Sequence, residues 1–289
     1  MTDALDGVRH HYGATGLTER LKAALAIFGP EDRLLTSQQL GPLDQFHTRG
    51  LAATADLARL AGIEADMAVL DVGSGLGGPA RFLSETYGCR VTGVDLSEAF
   101  VDAARYLTGR TGQTGQVTFQ TANALNLPFD DSRFDVAFLQ HVAMNIADRA
   151  RLYREIRRVL KSGGRLAVFD VVSNAGEPHY AVPWDPVPWD PVPWDPVPWA
   201  RTTDTSFLLT AAATRETIEP AGYRTLAWQD DTEPAKAWFA QMRASGPPPS
   251  PNLGVVMGPD FPQLSANLAR NLLEGRLGIL TAVFEAASI

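Results

Sequence analysis

The hydrophobic positions of the chain follow two rhythms. Over residues 17–28 (LTERLKAALAIF), Leu17, Leu21, Ala24, Leu25 and Phe28 recur at helical spacing and share one face. Residues 48–61 are Ala- and Leu-rich and stop before Gly62, a favourable place for a helix to end. From residue 67 the period changes. MAVLDV (67–72) is a short apolar run that reads as a buried strand; GSGLGG turns; PARFLSETYG reads as a helix, with Pro79 in its first turn where a missing amide costs nothing. RVTGVD (90–95) predicts a second strand, and Ser97 is placed to cap the helix SEAFVDAARYLTG. QVTFQT and FDVAFL (134–139) predict the third and fourth strands. ADRARLYREIRRVL is a strongly periodic helix that Gly163-Gly164 should end, and RLAVFDVV predicts the fifth strand.

Strands alternating with helices predict an α/β fold, a parallel sheet covered on both faces with right-handed crossovers. After Val172 the pattern breaks. The unit VPWDP is written three times and begun a fourth time between Val182 and Trp199. Trp184, Trp189, Trp194 and Trp199 recur every five residues, which is neither a helix nor a strand period, so they cannot share one regular buried face. Removing residues 185–199 leaves AVPWARTTDTSF, a continuous short loop. The simplest origin is a tandem duplication in a surface loop, where added length costs little entropy. At least one copy should still pack against the core. The sharper alternative is an aromatic lid, or a ligand for a Pro-recognising domain. The alternation then resumes with a helix near 210–221, a strand near 223–229, a helix around Glu233–Met242, the Pro-rich GPPPSPN, and a last helix and strand.

Composition narrows the function. The chain is 45% hydrophobic with a net charge of -8, so it repels phosphate backbones and we expect no nucleic-acid partner. A single cysteine, Cys89, allows neither an intrachain disulfide nor a cysteine metal cluster, and reads as a small core residue. His10, His11 and His47 lack acidic ligands at metal-binding spacing, so no metal is expected. MTDALDGVRHHYG lacks a signal-peptide core and no apolar run is long enough to span a bilayer, so we expect a cytoplasmic protein without membrane contact.

The chemical centre is LDVGSGLGG (70–78). Glycines after a buried strand let the backbone turn tightly and approach a ligand. Their spacing fits both G-x-G-x-x-G and G-x-G-x-G, so the neighbours decide. Asp71, two residues before the first glycine, would repel a pyrophosphate but suits a ligand with an ammonium group. Asp95 ends the second strand, where an acid can accept ribose hydroxyls. Asn123 follows the third strand, where an amide can read an adenine edge. Together they describe a nucleoside with an amino-acid tail and no phosphate, which is S-adenosylmethionine.

LDVGSGLGG, VTGVDLS, NALNLPF, FDVAFLQH and RVLKSGGRLAVFD, in this order, resemble the motifs of class I S-adenosylmethionine-dependent methyltransferases. LDQFHTRG (43–50), QHVAMNIAD (140–148) and EPHY…VPWAR are similar to the small-molecule branch that includes sarcosine/dimethylglycine and quinol methyltransferases. The resemblance is strong over roughly residues 45–172. It implies a Rossmann-like seven-stranded sheet, mostly parallel with an antiparallel last strand. It also implies a helical cap or lid over residues 1–62, a methyltransferase domain over 63–289, and an insertion at 173–205 over the active-site edge. By the same resemblance Asp71 holds the methionine ammonium, directly or through water, and Gly73, Ser74 and Gly75 pass beneath the cofactor. Asp95 binds the ribose, Leu96 lies against the adenine, Asn123 and Ala124 flank it, and Gln140 faces the methionine end. Asn123 stands where the family more often has Asp, which should change affinity without abolishing binding.

Methyl transfer from a sulfonium is an in-line displacement, so alignment does most of the work and a base removes the acceptor's proton. His141 follows the fourth strand at the sheet's carboxyl edge and is the candidate base; alternatively it only positions the loop. Tyr12 either closes over the site or anchors the N-terminal segment, and Gln45, His47 and Trp199 are candidate lid or acceptor-side residues. For Gln45 and His47 the alternative is helix-entry chemistry with Phe46 as the buried residue. Glu155, Arg157 and Arg158 read as a solvated helix face. The expected partner is a small-molecule methyl acceptor, and the expected state a monomer or homodimer. The competing readings are a nicotinamide oxidoreductase, opposed by Asp71 and by the lack of a recognisable Tyr-Lys pair, and a non-catalytic binding protein.

Overall fold

A computed structural model describes residues 16–174, 196–246 and 251–287. Its centre is one sheet of seven strands: β1 (Ala68–Val72), β2 (Arg90–Asp95), β3 (Val117–Thr121), β4 (Phe134–Gln140), β5 (Leu160–Ser173), β6 (Tyr223–Asp230) and β7 (Leu277–Ala286), in the order β3-β2-β1-β4-β5-β7-β6. The first five pair parallel, and β7 runs antiparallel between β5 and β6. This is the Rossmann-like methyltransferase arrangement expected from the motifs, including the antiparallel pair at the chain end.

The strands are apolar on both faces because helices cover both. Val69, Val136, Phe138 and Phe169 point into one layer, while Leu70, Val72, Leu139 and Val168 point into the other. The first layer is closed by α3 (Leu51–Ala61), α4 (Gly78–Tyr87) and α10 (Phe261–Leu273), which supply Leu57, Leu83 and Leu268. The second is closed by α6 (Arg149–Val159) and α7 (Ala211–Ile218), through Leu152, Ile156 and Ile218. A third cluster lies outside the sheet. Leu17, Leu21 and Leu25 of α1 (Leu17–Leu25) and Leu40 and Leu43 of α2 (Ser37–Asp44) pack on Leu76 and on Phe100 and Leu107 of α5 (Glu98–Arg110). Full burial of each such leucine is worth ~1.5–3 kcal/mol, enough to hold the N-terminal helices on the sheet edge. Between β6 and β7 lie α8 (Thr232–Ser245) and the one-turn α9 (Gly254–Met257). Among the described residues no helix is long and apolar enough to cross a membrane.

Local signals worked as expected at several ends. Gly62 closes α3 at φ 60, Pro79 lies in the first turn of α4, and the Ser97 hydroxyl accepts the Phe100 amide. Gly163-Gly164 did not. Helix α6 already ends at Val159, and the buried Leu160 pairs with Phe134 in extended conformation. The glycines instead turn the chain within β5, Gly163 at φ 71, where the β4–β5 register shifts. Burial of Leu160 against the sheet ends the helix before the glycines are reached.

Candidate active site

The carboxyl ends of β1, β2 and β4 meet where the strand order reverses, the place where open α/β sheets bind ligands. Here the glycine turn is held from below: the amides of Gly73 and Ser74 both donate to Val94 O, at 2.8 and 2.9 Å. Gly73 and Gly75 sit at φ 71 and 52, in the left-handed region that favours glycine. A Cβ on Gly73 would lie 2.5 Å from the Val142 side chain, so this turn accepts nothing larger.

Three polar residues surround the turn. Asp95 accepts the Gly75 amide at 2.9 Å with one oxygen and the Ser97 amide at 2.9 Å with the other. Burial raises its carboxyl and these amides oppose the rise. Asp71 is 2% exposed, and its Oδ2 has no hydrogen-bond partner. Burial, aided by the nearby Asp95 and opposed by Arg81, pushes Asp71 up to about 7. Asn123 spends its side-chain oxygen on the Leu125 amide, 2.9 Å away, which shapes the loop after β3.

A cavity of about 850 Å³ opens over this edge. Its sheet-side wall holds Gly73, Gly75, Asp95, Leu96, Asn123, Ala124, Gln140 and His141. Asp71 and Ser74 lie just behind that wall. The unpartnered, enclosed Asp71 Oδ2, Ser74 Oγ, Gln140 Nε2 and His141 Nε2 all come from the ends of β1 and β4. Other such atoms are scattered through the fold, but these four gather at one sheet edge beside the cavity, where a polar ligand could partner them.

The lid-side wall includes Gln45 and His47. His47 Nε2 lies 3.2 Å from Gly50 O and 3.0 Å from Thr54 Oγ1, and the carbonyl requires that nitrogen to donate. Thr54 Oγ1 is also 3.4 Å from Gln140 Oε1, joining α3 to the end of β4. Burial lowers His47 to about 4. His141, half-buried at φ 53, stacks on Phe169 with centroids 5.3 Å apart and meets the His47 ring edge-on at 6.1 Å. Burial, with His47 nearby, holds it well below 6.5, so both imidazoles are neutral near pH 7.

Of the far wall only Trp199 was read from the sequence. That wall includes Trp199, Trp238, Phe239, Met242, Met257 and Phe261, which arrive from four separate segments of the last hundred residues. For the others the only signal was the aromatic and Met content of KAWFAQM in α8. Trp199 is 2% exposed, and its indole donates to Ser206 Oγ at 3.0 Å, so one tryptophan of the repeat does pack. Trp184, Trp189 and Trp194, with Tyr12, His10 and His11, lie outside the described residues. Cys89 is a core residue, with burial raising its thiol to about 11.

Two expectations change. In LDQFHTRG, Gln45 and His47 are buried on either side of Phe46, the His47 ring because it finds partners inside, while Phe46 remains half-exposed beside the cavity. Glu155 and Arg158 are not a plain solvated face. Glu155 accepts the Leu127 amide at 2.8 Å, and Arg158 donates to Leu127 O and Phe129 O at 3.0 and 2.7 Å. The β3–β4 loop needs these partners for its backbone groups.

Residues 70–168 match the family described as methyltransferase domain. This part of the chain is a methyltransferase domain. An O-methyltransferase, resE of Aspergillus sclerotiorum, is 39% identical over 111 residues, 38% of this chain and 42% of that protein. A sarcosine/dimethylglycine N-methyltransferase of Halorhodospira halochloris is 34% identical over 129 residues, 45% of this chain and 46% of that protein. The chain thus spans less than half the length of the curated relatives it matches. The fold extends further than the sequence likeness. The geranyl diphosphate C-methyltransferase of Streptomyces coelicolor A3(2), solved with Mg2+, geranyl diphosphate and S-adenosyl-L-homocysteine, aligns at TM-score 0.63 and 19% identity, over 82% of this chain and 79% of that one. The relatives name oxygen, nitrogen and carbon acceptors, so the methyltransferase domain by itself leaves the acceptor atom open.

Proposed function

We propose that this protein transfers the methyl group of S-adenosylmethionine to a small-molecule acceptor held between the sheet edge and the N-terminal helices. The observation that carries this reading is the set of enclosed, unpartnered polar atoms on Asp71, Ser74, Gln140 and His141 beside the glycine turn of a methyltransferase domain. The set fits the cofactor. A raised carboxyl at Asp71 suits an ammonium group, and Gly73 and Gly75 leave room for close approach. Asp95 faces the cavity as the ribose acceptor, and Leu96, Asn123 and Ala124 line the adenine side. When bound there, the sulfonium supplies an activated methyl group and leaves as a neutral thioether.

The chain's own residues do the rest. Gln140 and Thr54 hold the methionine end against α3. His141, neutral near pH 7, takes the acceptor's proton as the new bond to carbon forms. Residues of the 38–52 stretch form the lid side of the cavity, and Pro198 and Trp199 join the acceptor wall. The net charge of -8 supports a small acceptor over a nucleic acid.

The test is calorimetric titration with S-adenosylhomocysteine, followed by transfer from labelled S-adenosylmethionine. Asp95→Ala should weaken binding at least tenfold. His141→Asn, which tolerates the left-handed backbone, should leave binding within about threefold but lower kcat ~10²–10⁴-fold. Binding of NAD in place of S-adenosylhomocysteine would overturn the reading in favour of an oxidoreductase.

A further inference from the structure

The part of the cavity farthest from the glycine turn is lined by large apolar side chains that remain half-buried. Trp238, Phe239, Met242, Met257 and Phe261 all turn partly exposed surface to this wall, beside the fully buried Trp199. Apolar groups gathered on a concave wall favour an apolar occupant, because each contact removes that surface from water.

Charge gives a second, independent observation. Among the described residues of the lining, Arg49 is the only lysine or arginine. It is already ion-paired to Asp56 at 2.6 Å and Asp231 at 3.0 Å, so its charge is taken. His47 and His141 are held neutral by burial. The lining carboxylates, Asp95 at the cofactor end and Asp148 at the start of α6, accept only backbone amides and keep their negative charge, so both repel an anion. A carboxylate or phosphate on the acceptor would therefore enter without a partner and lose its hydration uncompensated.

We infer that the methyl acceptor is a largely apolar molecule without an anionic group, of polycyclic or long-chain size, seated against the aromatic and methionine wall of α8, α9 and α10. This rests on the methyl-transfer reading for its chemistry, but the wall is a property of the chain alone.

The probe is Nile red, a neutral polycyclic dye that brightens in apolar surroundings, titrated into protein saturated with S-adenosylhomocysteine. We expect one saturable site, weakened at least tenfold by Met242→Glu, with S-adenosylhomocysteine affinity unchanged. Met242 is half-exposed on α8, so this substitution spares the core; Met257→Glu provides a second variant. Neither sarcosine nor geranyl diphosphate with Mg2+ should displace the dye. Failure of the dye to saturate, insensitivity to both substitutions, or displacement by either charged compound would overturn the inference. Failure of S-adenosylhomocysteine to bind would count against the methyl-transfer reading, and the dye titration would still decide the character of the wall.

Discussion

A carboxyl group sealed in the middle of a sheet is at ease when protonated, or when a cation arrives. Asp71 is in that position, raised from 3.8 to about 7 by burial and by Asp95. Binding an ammonium group requires its ionised form, so below pH 7 binding must release a proton. We expect S-adenosylhomocysteine affinity to fall about tenfold per unit below pH 7 and to level off above it. Asp71→Asn should bind weakly with no such slope, and proton release in calorimetry with different buffers reports it directly. Melting is a poorer readout because two effects oppose. The raised Asp71 favours the empty fold below pH 4 and withdraws that support as pH rises towards 7. The lowered His47 acts in reverse, with its cost appearing as pH falls from 6.5 to about 4. Asp71 was legible because its distance from the glycines in the sequence sets its place at the strand end. Its isolation from any partner was not, since that depends on what β2, β4 and α4 leave beside it.

The element that most constrains the site is α2, and it was not predicted. Its start was readable: Thr36 and Gln39 form a capping box. Pro42 inside the helix hid the rest. What ties α2 to the glycine turn is Asp44, 2.7 Å from Arg81 of α4, with both side chains buried. Arg81 also donates to Thr108 Oγ1 at 3.2 Å on α5, and Gln45 Nε2 donates to Asp44 at 3.2 Å. Burial lifts the Asp44 carboxyl even beside the guanidinium. Removing one partner strands the other, which costs ~3–5 kcal/mol. Asp44→Leu should therefore lower stability in urea by about that amount, while the double variant Asp44→Leu/Arg81→Met recovers much of it. The double variant should also weaken S-adenosylhomocysteine binding, because it removes the Arg81 charge that holds the Asp71 carboxyl down.

Across the whole molecule, distant segments are brought to one cavity, and the repeat is the clearest instance. Its end is anchored by Asn145 Nδ2 donating to Trp199 O and Asn267 Nδ2 donating to Pro196 O, at 3.0 and 2.8 Å. Trp199→Ala should destabilise the fold by ~3–5 kcal/mol, the usual cost of emptying a buried aromatic site. Deleting residues 185–199 should cost far less, because Val182-Pro183-Trp184 then precedes Ala200 as Val197-Pro198-Trp199 does now. Paired thermal melts of the two variants check this. Equal losses would mean that the extra copies hold the fold.

Most strand positions, the glycine turn, and the places of Asp71 and Asp95 were determined by the sequence alone. Each depends on spacing within a few residues or on an unbroken apolar run, and such signals survive without knowledge of the fold; the antiparallel pair at the chain end came only from the family resemblance. Tertiary structure decided which charges are already paired, which histidines stay neutral, and which helices wall the acceptor space. Arg49 meets Asp231 across 182 positions, and Arg81 meets Asp44 across 37. Long-range closure sets those pairings, and with them the burial and desolvation that give the site its chemistry.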